Sequence, residues 1–307
     1  MSEIAQRIIH QFQSGHTSMS WLIIGPKGVG KKRLVKEVAQ TLLGSNQGTQ
    51  IAAVKWVECG LTDKAKKAFQ EATMAGEQVQ DDPSLEKKNE ITMEEIRAGL
   101  NFVSLKSTLP CKILVVSLAE EMNENVQNAL LKTLEEPLKK TLIFLLSENP
   151  NRLLPTILSR CQRIVLHALS KEALEKELRQ EFPSCQDIEK IVRLSEGMPG
   201  IARMICELDG LAVYNRINSF LGPLENLNTL ELLNFLQELP KEQLPLLKHF
   251  ILDFLYHCAQ TNSMEKAQQF SSLYSWAESQ FVKADALYLD KPQVFMDIIL
   301  KIAEKLS

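Results

Sequence analysis

A chain of 307 residues, 45% hydrophobic and 24% charged, has the composition of an ordinary folded protein and the length for two or three domains. Its formal net charge of −3 supplies no overall attraction to nucleic acid, so any DNA contact must come from a local patch or from an assembly. Six cysteines, at 59, 111, 161, 185, 206 and 258, form no Cys-x-x-Cys pair, which argues against a cysteine zinc cluster and a disulfide framework alike.

No apolar stretch is long enough to span a bilayer, and Met1-Ser-Glu-Ile lacks a signal-peptide profile. The expectation is a cytoplasmic protein with reduced thiols and no membrane partner. Residues 2–13 predict an amphipathic helix with Ile4, Ile8 and Ile9 on one side. His16, in the polar loop after it, is assigned no chemistry. Ser20 to Ile24 reads as a strand, and a helix is expected from about Arg33 to Leu43.

Between them stands Gly25-Pro-Lys-Gly-Val-Gly-Lys31-Lys32. The spacing Gly25-x4-Gly30-Lys31 between a strand and a helix is that of a phosphate-binding loop. Gly25, Gly28 and Gly30 let backbone N–H groups close on phosphate, where a helix N-terminus favours an anion. Lys31 would reach the β and γ phosphates. The next position should offer a hydroxyl to Mg²⁺, but Lys32 has only donors and cannot ligate a cation. The stretch reads either as a degenerate nucleotide site or as a purely structural turn.

Ala53 to Val57 reads as a second strand, with Trp56 packing. Thr62 to Lys88 is charged and poor in large apolar residues. A helix through about Ala72 and a loop over 76–89 are expected there, the charge run being a solvated face. Thr92-Met-Glu-Glu95 is a capping box opening a helix that carries Ile96, Leu100 and Val103. After a turn at 107–110, Lys112 to Leu118 reads as a buried strand.

Val126, Ala129, Leu130, Thr133 and Leu134 line one face of a further helix, ended by Pro137. Leu142 to Leu146 is continuously apolar, as in a parallel strand covered on both faces. Ser159-Arg160-Cys161 then precedes the apolar run Ile164-Val-Leu166. Ser170 caps a helical segment reaching Glu181. Helices over about 185–195 and 201–208 flank Gly197-Met-Pro-Gly200. Beyond Gly210 the periodicity is helical, over 230–239, 244–258, 267–281 and 294–306, with Pro240, Pro245 and Pro292 at boundaries. Aromatics at that spacing, such as Phe254 and Trp276, read as core.

Asn128-Ala-Leu-Leu-Lys-Thr-Leu-Glu-Glu-Pro137 and Pro155-Thr-Ile-Leu-Ser-Arg-Cys161, with a strand between them, resemble the clamp-loader family of AAA+ proteins. That family comprises the gamma/tau and delta-prime subunits of bacterial DNA polymerase III and, more distantly, replication factor C subunits. The resemblance covers roughly residues 15–210 by motif and the remainder by helical character. It implies an α/β P-loop AAA+ domain with a parallel sheet over 1–168, a small helical lid over 169–210, and an all-α collar over 211–307 that joins subunits.

The resemblance also implies roles. Arg160 would reach across a subunit interface to ATP held by a neighbour, with Ser159 and Cys161 as the motif around it; a guanidinium fork suits phosphate oxygens. Ser147 falls in the sensor-1 region and Arg97 in the family's Ile-Arg pair. The Walker B Asp and Glu fall on Ser117 and Leu118, which cannot hold Mg²⁺ or orient water. The lid arginine falls on Gly200, with Arg203 one turn later. Only Cys59 remains of the family's four-cysteine module, so no zinc is expected.

Three degraded ATPase positions and a retained Arg160 imply a delta-prime type of subunit. Such a chain has no intrinsic ATPase and holds ATP or ADP at most without hydrolysis. It joins gamma/tau and delta subunits in a hetero-pentamer of the polymerase holoenzyme, which loads the sliding clamp onto primer-template DNA during replication. Two other readings stay open on the sequence. One is an active ATPase of gamma/tau type using Glu120 or Glu121. The other is a DNA-binding module using Lys27, Lys31, Lys32 and Arg33.

Overall fold

A computed structural model of the chain describes residues 3–14, 20–44, 48, 52–59, 90–105, 109–136, 138, 140–185, 187–222, 228–287 and 290–306. The expectations for His16, for the helix and loop within 62–89, for Ser107 in its turn and for Pro137 lie outside the described residues. The chain divides into two compact units. Among the described residues the first runs to Leu169 and also takes Met198–Gly200; the second holds Ser170–Gly197 and the residues from Ile201 onward.

The first unit is built on a parallel sheet. After helix α1 (Glu3–Gln13) come β1 (Ser20–Ile24), α2 (Lys31–Leu43), β2 (Val54–Val57), α3 (Met93–Ser104) and β3 (Lys112–Val116). Then follow α4 (Glu124–Glu135), β4 (Thr141–Ser147), α5 (Pro155–Arg160) and β5 (Gln162–Val165). The sheet order is β2-β3-β4-β1-β5, and every pairing is parallel. Parallel strands need crossovers, and those crossovers cover both faces. All seven residues of β4 are accordingly buried.

Alternation along the strands sorts side chains to two cores. Trp21, Ile23, Ile113, Val115, Leu142, Phe144 and Leu146 face α1 and α2, meeting Ile8, Val35 and Val38. Leu22, Leu114, Val116, Ile143 and Leu145 face the other way, toward Ile96 of α3, Leu130 of α4 and Ile157 of α5. Gly99 of α3 is required by this packing, since a Cβ there would stand 2.8 Å from Leu114 and 2.9 Å from Val57.

Helix starts follow local chemistry. The capping box at Thr92 is formed: Glu95 N–H donates to the Thr92 hydroxyl at 3.4 Å, and Thr92 N–H donates to the Glu95 carboxylate at 2.6 Å. Asn123 caps α4. The sequence reading gave no helix to 155–160, yet Pro155 opens one at the first helical position, where its missing N–H costs nothing. Helix α2 also begins earlier than expected, at Lys31.

The second unit is all helical: α6 (Lys171–Glu181), α7 (Ile188–Leu194), α8 (Pro199–Glu207, whose first two residues group with the first unit), α9 (Gly210–Leu221), α10 (Thr229–Glu238), α11 (Leu244–Thr261), α12 (Met264–Leu287) and α13 (Lys291–Leu306). Ser170 caps α6 as its sequence suggests. Apart from Leu169 and Met198–Gly200, the described residues expected to form lid and collar fall together in this one unit. No described helix is long and apolar enough to cross a membrane.

Two substitutions should rank clearly. Phe144→Ala removes a fully buried ring from the strand covered on both faces and is expected to cost about 3–5 kcal/mol. Thr92→Ala removes one capping interaction and should cost about 1 kcal/mol. Denaturant unfolding of both variants beside the parent checks the order.

Candidate functional site

The parallel sheet brings the C-terminal ends of β1, β3 and β4 together. Ile24 of β1 pairs with Ser147 of β4, and Gly25 N–H donates to the Ser147 carbonyl at 3.1 Å. The glycine loop therefore leaves β1 beside the end of β4. Gly28 and Gly30 take φ of 84° and 106°, a region in which a Cβ is strained. Gly25 is held differently: a Cβ there would meet the Leu166 carbonyl oxygen at 2.8 Å. The loop thus has the left-handed glycines that the sequence spacing predicts.

Its lysine is already engaged. Lys31 is buried, and its ammonium donates to the carbonyls of Gly25 at 2.6 Å and Pro26 at 3.0 Å, with Glu148 at 3.4 Å. Burial lowers its pKa, while Glu148 and Glu120 hold it up. One carboxylate and two carbonyls thus engage the ammonium that a phosphate would use.

The positions that the resemblance relates to magnesium binding are filled by a network that sequence reading missed. Glu58, just past β2, accepts a hydrogen bond from the Lys32 ammonium at 2.5 Å and from the Ser117 hydroxyl at 3.1 Å. Lys32 also sits over the Trp56 ring at 5.8 Å. The two degenerate positions, Lys32 and Ser117, therefore converge on one carboxylate. An ammonium among these groups repels a dication, and Ser117 offers no charge to hold one. Mg²⁺ does not fit this set. Leu118 is 41% exposed, with φ of 55°.

The acids after β3 have their own tasks. Glu120 is buried and its Oε1 accepts from the backbone N–H of Glu148 at 2.8 Å and of Asn149 at 3.4 Å. Glu121 pairs with Arg152 at 3.3 Å, and burial raises its pKa. Both carboxylates tie the chain after β4 to the turn after β3, which weighs against a shifted Walker B role. Two buried atoms near the end of β4 have no hydrogen-bond partner among the described residues: Glu120 Oε2 and Ser147 Oγ. Ser147, which the resemblance places in the sensor-1 region, is fully buried.

Gly200 lies against the loop. Its N–H donates to the Gly28 carbonyl at 2.8 Å, and a Cβ would stand 2.9 Å from that oxygen. An arginine at this position would displace the loop backbone. Arg203 does not stand in for it. That guanidinium pairs with Glu181 at 2.8 Å and with Glu177, both on α6.

Arg160 closes the six-residue helix α5. Its Nε donates to Glu135 Oε1 at 2.7 Å, its Nη2 donates to the same oxygen, and Nη1 donates to the Thr156 carbonyl at 3.0 Å. The pair lies at the surface, with Arg160 31% and Glu135 47% exposed. Ser159 is exposed and turned back on Thr156 at 3.0 Å. Cys161, named with Ser159 as the motif around Arg160, is buried in the core beside Ile157, and burial pushes its thiol up to about 12. Of the basic residues of the DNA-binding reading, Lys31 and Lys32 are internally paired, and Lys27 and Arg33 are exposed.

These features match known proteins. The family described as "DNA polymerase III, delta subunit" matches residues 1–170, more than half of the chain. The chain belongs to this family. It is a clamp-loader AAA+ protein related to the delta′, gamma and tau subunits of DNA polymerase III. It is 34% identical over 189 residues to DNA polymerase III subunit delta′ of Pseudomonas aeruginosa, covering 61% of this chain and 55% of that one. It is 26% identical over 235 residues to subunit tau of Escherichia coli, covering 73% of this chain and 35% of that one. The chain thus spans about half or less of these relatives' length. A gamma subunit-related protein from Thermotoga maritima has the same fold at a TM-score of 0.57, with 17% identity and 99% of each chain covered.

Glu58→Ala is expected to cost about 1–3 kcal/mol, because buried Ser117 loses a charged acceptor. Lys32→Ala removes only the exposed arm and should cost under about 1 kcal/mol. Unfolding curves that rank Lys32→Ala as the more damaging would contradict the network's geometry.

Proposed function

We propose that this chain is the delta-prime subunit of a bacterial clamp loader. In this reading it hydrolyses no ATP itself and supplies Arg160 in trans to ATP held by a neighbouring gamma/tau subunit. The observation that carries the reading is a contrast within one domain. The magnesium positions are closed by the Lys32–Glu58–Ser117 network, whereas Arg160 stands at the surface with an exposed carboxylate, a carbonyl and the Ser159 hydroxyl as partners. An exposed ion pair is worth about 0–1 kcal/mol. An arginine finger contributes about 10³–10⁵ in rate. The pair with Glu135 is therefore a weak competitor for the guanidinium. Partners in this reading are gamma/tau and delta subunits in a hetero-pentamer, with the sliding clamp and primer-template DNA engaged through that complex.

The purified chain alone is expected to show no magnesium-dependent ATP turnover above background. Lys32→Thr with Ser117→Asp and Leu118→Glu should restore little, because a monomer lacks a neighbour's arginine. Robust turnover by the unmodified monomer would sink the proposal and return Glu120 and Glu121 to consideration.

The decisive test is a complex reconstituted with gamma/tau and delta subunits, clamp and primed DNA. Arg160→Ala should leave assembly and thermal stability unchanged and lower ATP turnover at the one site it faces, by about 10³-fold or more there. The whole-complex loss is smaller, since other sites keep their own arginines. Arg160→Lys should not rescue, because an ammonium lacks the planar fork. Wild-type turnover in a fully assembled mutant complex removes Arg160 from the mechanism.

A further inference from the structure

Within the second unit, α11 carries Asp253 and His257 one turn apart, and Glu196 follows the end of α7. Their ligand atoms all lie within 4.8 Å of one another. Asp253 is the unusual member. Its side chain is only 10% exposed, and its Oδ1 is sealed from solvent with no hydrogen-bond partner among the described residues. His257 Nε2 lies 3.2 Å from that oxygen, yet the two do not align as a hydrogen bond. A buried carboxylate oxygen without a donor is costly.

Burial raises the pKa of Asp253, His257 and His249 oppose the rise, and Glu196 adds to it. His249 is the second imidazole of α11, and its Nε2 meets the Leu194 carbonyl at 2.7 Å. From α12, Tyr274 is raised by burial and by Glu278, Glu196 and Tyr256. Three carboxylates, Glu196, Asp253 and Glu278, thus act on this corner.

We propose that Glu196, Asp253 and His257 form a binding site for a divalent transition-metal ion of the zinc type. One imidazole nitrogen and two carboxylate oxygens are a ligand set that Zn²⁺ takes at about 2.0–2.2 Å, with water as the fourth ligand. Those bond lengths place tetrahedral ligand atoms roughly 3.4 Å apart. The Asp253–His257 separation of 3.2 Å already matches, and exposed Glu196 closes the remaining distance. The ion would satisfy Asp253 Oδ1 and pin the end of α7 to α11, beside the contact that His249 makes with Leu194. This ligand set is independent of the missing four-cysteine module and of the reading of Arg160.

The test adds ZnCl₂ to the metal-free full-length chain and follows binding by calorimetry, with CoCl₂ as an optical probe. One saturable site is expected, tighter at pH 8 than at pH 6, because the imidazole and carboxyls must lose their protons. The Co²⁺ spectrum should lack thiolate charge-transfer bands. Glu196→Gln, at an exposed position that folding does not depend on, should weaken binding about tenfold or more, as should Asp253→Asn and His257→Ala. A Cys185→Ser/Cys206→Ser chain should bind as the parent does. No saturable binding at several-fold excess zinc overturns the proposal. So does binding indifferent to Glu196→Gln, or a spectrum with thiolate bands.

Discussion

The constraint on which the first unit depends is the parallel, doubly covered sheet. Parallel strands cannot be joined by tight turns, so every connection is a crossover and both faces are buried. All strand C-termini then point the same way. That geometry, rather than any single side chain, places the glycine loop, Ser117 and Ser147 at one end of the sheet. A residue at the end of β1, β3 or β4 cannot escape this neighbourhood by mutation. If it no longer serves phosphate or Mg²⁺, it must be satisfied by the protein itself.

The Lys32–Glu58–Ser117 network and the two carbonyls on Lys31 are that satisfaction. A dication normally draws carboxylates together, and here an ammonium does so with one carboxylate. The substitution is self-consistent: Lys32 needs an acid, Glu58 provides it, and neutral Ser117 can share that acid where a second carboxylate would repel it. The degraded motif is thus a set of mutually dependent changes. No single reversal rebuilds a magnesium site, because each altered residue is now a partner of another.

Much of this was legible in the sequence, and the reason is locality. The α1 stripe, the strand–glycine–helix order at Gly25–Lys31, the capping box at Thr92 and the Ser170 cap are written within a few residues of one another. What was missed is non-local or short. Glu58 lies 26 residues from Lys32 and 59 from Ser117, a separation with no periodic signature. The contact of Gly200 with Gly28 depends on two backbones meeting, which composition cannot reveal. Helix α5 has only six residues, too few for a hydrophobic period, although Pro155 was a usable start signal. Cys161 was read only as part of the motif around Arg160, and its packing with Ile157 and Leu153 in one core carried no local signal.

The role proposed for Arg160 is long-range, but the side chain is positioned by short-range structure. Helix α5 fixes it in the last turn, where the Thr156 carbonyl accepts one N–H and Glu135 takes the fork. A free arginine would lose more rotamer entropy on meeting a phosphate than one already narrowed to a few conformations. Glu135 supplies that narrowing at small cost, because an exposed pair contributes about 1 kcal/mol at most. Parting a buried pair costs about 3–5 kcal/mol, because it leaves an uncompensated buried charge, and such a partner would have retained the guanidinium. The same surface exposure that makes the pair nearly worthless to stability leaves Arg160 both positioned and releasable, the two properties that the proposed action outside its own fold requires.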